Sequence, residues 1–172
     1  VVFSYQKYLN GSNEKDVLRT IKEVVANQKD KTYVFPRELI KKLKKENYFL
    51  IAISGSPEII VSEFAKVLGF DIFFGSKYEV KNKKFTGRTV VDIAWKKNEI
   101  ITSFVAENKL SFKDSIGVGD SEIDISFLEL VDIPIAFNPD LKLAAHDKKK
   151  KWNITVERKN VVYKIKDFEF EV

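Results

Sequence analysis

The stretch that decides the fold is SIGVGDSEIDISFLE, residues 115–129. A short apolar run ends in two glycines and an acid, and Ile123 and Phe127 then follow at helical spacing. This order predicts a strand, a tight loop and a helix. Asp120 would stand at the carboxyl end of the strand, and Asp124 would face the same crevice from one helical turn later. Open α/β sheets bind their ligands in that crevice.

Two carboxylates that converge at such a point suit a hard cation. The chain has no Cys and a single His, so the acids favour Mg²⁺ over zinc. A structural alternative explains the same residues: Gly-Asp-Ser is common in turns, and an acid in the first turn of a helix is stabilised by capping and by the helix dipole. Both interpretations stay open on this stretch alone.

Composition places the chain among globular proteins. Its 172 residues are 44% apolar and 13% aromatic, which is enough to bury a core. The absence of Cys excludes disulfides and thiol chemistry and fits a reducing compartment. Neither a long apolar span nor a signal-peptide pattern is present, and we expect a soluble, cytoplasmic protein. The net charge of +5, carried mainly by Lys, favours anionic partners only in a general way.

The first third of the chain predicts helices. Apolar residues recur at helical spacing between positions 2 and 25, with a break at Asn10-Gly11, and Ser12 or Asn13 could cap the second helix. Another helix is expected from Phe35 onward. Residues 1–33 therefore predict a small helical hairpin.

A buried parallel strand is predicted next, over residues 48–53, because six consecutive apolar residues suit a strand covered on both faces. It ends in a loop, Ser54-Gly55-Ser56-Pro57, in which Ser56 would cap the following helix and Pro57 would take its first position. A small polar loop at a helix N-terminus can bind an anion, so Ser54 could hold a phosphate. An ordinary loop is the alternative.

The remaining chain alternates strands and helices. We expect a strand at 70–74, a β-hairpin turning at Asn82-Lys83, a helix over 93–108, a strand at 133–137 placed at a sheet edge by Pro134, a short helix after Asp140 and a strand at 152–156. The charged run 148–151 is expected to be solvated. This alternation predicts a doubly wound parallel sheet.

The ordered motifs resemble those of the haloacid dehalogenase superfamily. Ser54 after a strand, a Lys at the head of a helix about forty residues later, and the stretch 119–124 are similar to its second, third and fourth motifs. Residues 85–88 and 134–140, followed by Trp152, resemble its phosphoserine-phosphatase-like branch. The resemblance implies a Rossmann-like core over 34–172, a helical cap over 1–33 and a β-hairpin flap.

The same resemblance implies a Mg²⁺-dependent phosphomonoesterase that acts on a small molecule through an aspartyl-phosphate. Ser54 and Gly55 would bind the phosphate, and a lysine, Lys97 in preference to Lys96, would neutralise its charge. Asp120 would bind Mg²⁺. Asp124 would assist as a second ligand or by holding the site together.

One family motif is missing from the sequence. The Asp-x-Asp motif that supplies the nucleophile does not occur in residues 1–172, and we expect it upstream of Val1, which is not a translation start. Without that strand, the strands that end at Ser54 and Gly119 should lack a shared neighbour. A chain that begins at Val1 is expected to be inactive and poorly folded.

Two other functions are compatible with the sequence. The first is a catalytically dead regulatory module that binds phosphate or Mg²⁺. The second is a basic nucleic-acid-binding domain, suggested by the net charge of +5 and by the run 148–151. Because lysines are by default solvated surface residues and no apolar run is long enough for a membrane span, we expect neither a nucleic-acid nor a membrane partner. The sequence fixes neither the phosphomonoester nor the oligomeric state.

Overall fold

A computed structural model describes residues 2–159 and 161–165, with side chains from Gln6 onward. The chain forms two compact units, residues 1–95 and 96–172. Each unit combines helices with its own small sheet, and both sheets contain parallel strand pairs. The predicted α/β class is therefore confirmed.

In its described residues, the first unit holds four α-helices, a 3₁₀ turn Lys29–Lys31 and a three-stranded sheet in the order β1-β2-β3. Its elements are α1 Val2–Leu9, α2 Glu14–Gln28, α3 Val34–Lys45, β1 Ile51–Pro57, α4 Glu58–Leu68, β2 Ile72–Lys81 and β3 Lys84–Val91. Strand β1 runs parallel to β2, which runs antiparallel to β3.

The predicted helical hairpin at the start of the chain is confirmed and is joined to the β-hairpin. The cap of α2 is Asn13, whose side chain accepts a hydrogen bond from the Lys15 N–H at 3.0 Å. The Gly11 N–H donates to the Phe85 carbonyl at 2.8 Å, and the Phe85 N–H donates to the Ser12 carbonyl at 3.0 Å. These backbone bonds attach the turn between α1 and α2 to β3.

Strand β1 differs from its prediction at both ends. It begins at Ile51 and includes the Ser-Gly-Ser stretch that we expected in a loop. Pairing with β2 is regular through Ile53, is interrupted, and resumes where Pro57 faces Ser76. The stretch is therefore an irregular segment of the strand, lying between two positions that pair with β2. Pro57, and not Ser56, is the cap residue of α4.

The β-hairpin prediction is confirmed, but the strand before it is longer than expected. One ten-residue strand, β2, replaces the separate strand at 70–74 and first hairpin strand. Its first part pairs with β1 and its second with β3. Asn82 and Lys83 form the turn with positive φ angles of 50° and 64°. This is the backbone that suits a two-residue hairpin turn.

The second unit holds a four-stranded sheet in the order β4-β5-β6-β7. Its elements are α5 Lys97–Glu107, β4 Ile116–Gly119, a 3₁₀ turn Glu122–Asp124, α6 Ile125–Leu128, β5 Ile133–Phe137, α7 Leu141–Lys150, β6 Asn153–Arg158 and β7 Val161–Ile165. Strands β4, β5 and β6 are parallel, and β7 is antiparallel to β6. The core is built from Phe127, Leu128, Ala136, Leu143 and Ile154.

Two expectations for this part of the chain are wrong in detail, and one strand was missed. Helix α5 begins at Lys97 and not at Ile93; the backbone N–H groups of Ile93 and Ala94 donate instead to the side chains of Ser76 and Asp92. Strand β5 is internal, and Pro134 is tolerated because β6 pairs only from Ile135 onward. Strand β7 was not predicted.

Each unit leaves one parallel strand with a single partner. Within the described residues, β1 pairs only with β2, and β4 pairs only with β5. Among the same residues, none of the helices combines the length and hydropathy needed to cross a membrane.

Candidate active site

The candidate site is built at the carboxyl end of β4. This strand ends at Gly119, and the chain then passes through Asp120 into the 3₁₀ turn. A Cβ atom on Gly119 would lie 2.5 Å from the Cβ of Asp124, which is closer than two carbon atoms can approach. Glycine is therefore required here so that the turn can fold back against the strand end.

Asp124 is the centre of the cluster. Its side chain is buried, and Oδ2 accepts hydrogen bonds from the Asp120 N–H at 2.9 Å, the Ser121 N–H at 3.1 Å and the Ser121 hydroxyl at 3.2 Å. Oδ1 forms a buried ion pair with Lys97. Both carboxylate oxygens are thus engaged by the protein itself.

Lys97 enters the cluster from the first turn of α5. It is only 6% exposed, and its Nζ lies 5.9 Å from the centre of the Phe127 ring. Lys96, the cap residue of the same helix, is exposed. Burying an ammonium group is costly unless it is paired, and Asp124 provides that pairing. The geometry therefore supports Lys97 over Lys96 as the site lysine.

The two carboxyl groups of the cluster titrate differently. Partial burial raises the pKa of Asp120, and the nearby negative charge of Asp124 raises it further. Burial also acts to raise the pKa of Asp124, but the charge and hydrogen bond of Lys97 and the N–H groups of the turn outweigh it, so that the pKa of Asp124 is lowered. Asp124 is therefore stabilised as a carboxylate. The negative charge of Asp120 is disfavoured by its surroundings, because the nearby negative charge of Asp124 is not offset at Asp120.

Asp140 positions the Asp120 loop and was not predicted as part of the site. Its N–H donates to the Asp120 carbonyl at 2.8 Å, and its Oδ2 accepts from the Glu122 N–H at 3.1 Å. Its Oδ1 caps α7 by accepting from the Leu143 N–H at 2.8 Å. The sequence shows only an Asn-Pro-Asp turn, because the link to Asp120 depends on the parallel pairing of β4 and β5.

Ser54 and Gly55 belong to the other compact unit. The Ser54 Oγ accepts a hydrogen bond from the Ser56 N–H at 3.1 Å. A Cβ on Gly55 would lie 3.0 Å from the Cβ of Ala94, so a larger residue is disfavoured there. The structure brings Lys97, Asp120 and Asp124 together in residues 96–172, and Ser54 and Gly55 remain predicted phosphate-binding residues of residues 1–95.

The cluster offers a hard cation one exposed carboxylate. In the described part of the chain, no group of three or more His, Asp or Glu side chains is arranged to hold a metal ion. Mg²⁺ commonly binds through one or two carboxylates and completes its shell with waters and substrate phosphate. Asp120 meets that requirement, and a cation beside it would relieve the repulsion from Asp124. The residues therefore fit Mg²⁺.

The chain is an α/β protein, and the cluster of Lys97, Asp120 and Asp124 lies at the carboxyl end of its parallel strand β4. A lysine and two carboxylates at such a point can bind an anionic ligand and a cation. Residues 4–129 match the family model of the haloacid dehalogenase-like hydrolases. The chain belongs to that family, and the resemblance inferred from its motifs is confirmed.

The chain is similar to several phosphoserine phosphatases. It is 31% identical over 102 residues to the enzyme of Methanocaldococcus jannaschii, covering 58% of this chain and 48% of that protein. It is 34% identical over 111 residues to the enzyme of Lactococcus lactis subsp. lactis, covering 62% and 51%. The chain thus spans about half the length of these two curated relatives.

Solved structures have the same fold. A phosphoserine phosphatase described as a phospho-aspartyl intermediate analogue matches with a TM-score of 0.68 and 25% identity, covering 92% of this chain and 71% of that one. A protein of unknown function from Bordetella pertussis Tohama I matches with a TM-score of 0.77 and 17% identity, covering 89% and 71%. The second likeness shows the fold alone.

Proposed function

We propose that the protein containing this chain is a Mg²⁺-dependent hydrolase of small-molecule phosphomonoesters. The observation that carries the proposal is the buried Lys97–Asp124 pair, which fixes the loop bearing Asp120 at the carboxyl end of β4. Membership of the hydrolase family and similarity to phosphoserine phosphatases support the same reaction.

Lys97 would stabilise the negative charge of the phosphoryl group. An ammonium group has three N–H donors, and one of them is engaged by Asp124. The remaining donors can bind phosphoryl oxygens, and the ion pair keeps the ammonium group from rotating away. Phosphoryl transfer depends mainly on positioning and on charge neutralisation of this kind.

Ser54 and Gly55 would bind the phosphoryl group through a hydroxyl and a backbone N–H. The Ser54 Oγ already accepts from the Ser56 N–H, which orients the hydroxyl and leaves its proton free to be donated. The small side chain at Gly55 allows a ligand to approach the backbone closely.

Asp120 would hold Mg²⁺, with Asp124 acting on it indirectly by fixing the loop. A bound Mg²⁺ would polarise the phosphoryl oxygens and offset their charge. Asp120 carries the exposed carboxylate, and both oxygens of Asp124 are already engaged. Of the two roles considered for Asp124, holding the site together is the one that its contacts favour.

The attacking group is also part of the proposal. The family mechanism uses an aspartate that becomes an aspartyl-phosphate, and its Asp-x-Asp motif does not occur in residues 1–172. We propose that the full-length protein supplies this aspartate. Several relatives are named phosphoserine phosphatases, so phosphoserine is the first substrate to test.

The test is phosphate release from phosphoserine and from a panel of phosphomonoesters by the full-length protein, with and without Mg²⁺. Asp120→Asn should lower kcat/KM by about 10² or more, because the proposed carboxylate ligand of Mg²⁺ is lost. Asp114→Asn is the matched control, since Asp114 is an exposed carboxylate of the same unit. Release without Mg²⁺, or full activity of Asp120→Asn, would rule out the proposal.

A second candidate is a regulatory module that binds phosphate or Mg²⁺ without catalysis. The cluster of Lys97, Asp120 and Asp124 could serve binding alone as well as catalysis. The same experiment separates the two functions: the module would bind Mg²⁺ or phosphate at Asp120 and Lys97 and would release no phosphate from any ester, even as the full-length protein.

A further inference from the structure

Asp147 is a buried acid that the candidate site does not use. It lies on α7, one turn after Leu143 and Ala144, which face the core of the second unit. The residue is 1% exposed. Within the described residues, neither Oδ1 nor Oδ2 has a hydrogen-bond partner. An unpaired buried carboxylate is among the most unfavourable arrangements that a protein interior can contain.

The described elements packed most closely against α7 are β5, β6 and the 3₁₀ turn. None of these three presents a buried cation to Asp147. Strand β5 has no charged residue, and β6 offers Glu157 together with the exposed Arg158 at its end. In the turn, Glu122 is paired with Lys142 and Asp124 with Lys97.

The basic groups of α7 form no hydrogen bond with the Asp147 carboxylate in the described structure. The His146 Nε2 lies 3.2 Å from Oε1 of Glu129 without forming a hydrogen bond, and the Lys150 Nζ lies 3.2 Å from the same oxygen. The four lysines of the run 148–151 are exposed. Asp147 also lies in the last turn of α7, where the partial negative charge of the helix end opposes a carboxylate.

We propose that Asp147 is a proton-binding site that makes the packing of α7 depend on pH. The neutral acid can be buried at modest cost, whereas the carboxylate requires a donor or cation that its surroundings in the described structure do not offer. Protonation therefore stabilises the packed helix, and ionisation weakens it.

The direction of the pH effect follows from the change in the pKa of Asp147 on folding. Burial raises the pKa of Asp147 from 3.8 to about 6. Between these values the folded protein holds a proton that the unfolded chain has lost. The stabilisation is therefore complete below pH 3.8, is lost as the pH rises through about 6, and is absent at neutral pH.

The helix end that would respond forms part of a groove. Lys150, Lys151 and Trp152 line a groove of about 530 Å³ together with Glu129 and Asp132. The Lys151 N–H donates to the Asp147 carbonyl at 2.7 Å and closes the helix. Loosening of this last turn on ionisation of Asp147 would change the wall of the groove.

The test compares the urea unfolding of the wild type and of Asp147→Asn between pH 4 and pH 7.5. Relative to Asp147→Asn, the wild type should lose about 60-fold in its folding equilibrium constant across this range. Asp114→Asn, at an exposed acid, should give a curve parallel to that of the wild type. Both comparisons are repeated with His146→Gln, because histidine ordinarily changes charge in the same range.

A second measurement does not depend on whether the variant folds. The carboxyl ¹³C signal of Asp147 in the wild type should titrate with a midpoint near pH 6. A midpoint near 4, or unfolding curves of the wild type and Asp147→Asn that stay parallel, would overturn the proposal. A purely steric role for Asp147 predicts parallel curves, so the pH profile separates the two.

Discussion

At the scale of single residues, Asp124 determines how the other site residues are arranged. It binds Lys97 with one oxygen and the Asp120 loop with the other. From the sequence, Asp124 could be a helix cap, a metal ligand or a residue that holds the site together. The spacing predicts its position after β4 but does not show which groups bind its carboxylate oxygens. Lys97 and Asp124 are 27 positions apart, so no local pattern predicts their pairing.

The buried pair should contribute strongly to stability. Lys97→Met is expected to destabilise the protein by about 3–5 kcal/mol, because Asp124 would be left buried without its cation. Lys96→Met should change the free energy of unfolding by less than about 0.5 kcal/mol, since Lys96 is exposed. Urea unfolding of both variants checks this prediction, and equal effects of the two substitutions would contradict it.

The contribution of the Lys97–Asp124 pair to the free energy of unfolding should change with pH in the direction opposite to the contribution of Asp147. The pKa of Asp124 in the folded protein lies below its ordinary value of 3.8. The stabilisation is therefore present above 3.8 and is lost as the pH falls through the folded value. The difference in unfolding free energy between wild type and Lys97→Met should be largest near neutral pH and should shrink in acid. A difference that grows in acid would show that the charge of Asp124 is not what the pair stabilises.

At the scale of elements, some local signals predicted helix ends correctly and others, such as the cap expected at Ser56, did not, whereas strand pairing could not be predicted from local signals. Asn13 caps α2 and Gly69 ends α4 in the left-handed conformation, as their residue types predict. The irregular end of β1, the internal position of Pro134 and the existence of β7 depend on neighbouring strands. The register of those neighbours is set by tertiary contacts that the sequence of one segment does not contain.

The β2–β3 turn offers a test at this scale. Lys83 has a φ of 64°, which is unfavourable for a residue with a Cβ atom, so Lys83→Gly should stabilise the protein by about 0.5–1 kcal/mol. Lys84→Gly, at the first position of β3, should destabilise it because glycine weakens a strand. Thermal unfolding distinguishes the two substitutions. A loss of stability in Lys83→Gly would contradict the turn geometry.

At the scale of the whole molecule, the order of the motifs was more informative than any one of them. Ser54, Lys97 and the turn from Gly119 to Asp124 each have an ordinary structural explanation. Their order along alternating strands and helices predicted the family, which the match over residues 4–129 then confirmed. The contacts of Asp140 and the burial of Asp147 could not be predicted in this way, because they depend on how α7 packs in three dimensions.

The central claim is that Asp124 is committed to Lys97 and leaves Asp120 to bind a cation. The most direct measurement is a pH titration of the two carboxyl ¹³C signals with and without Mg²⁺. We predict that Mg²⁺ lowers the pKa of Asp120, because a cation favours its charged form, and leaves the signal of Asp124 unchanged. A Mg²⁺-induced shift at Asp124 with none at Asp120 would contradict the claim.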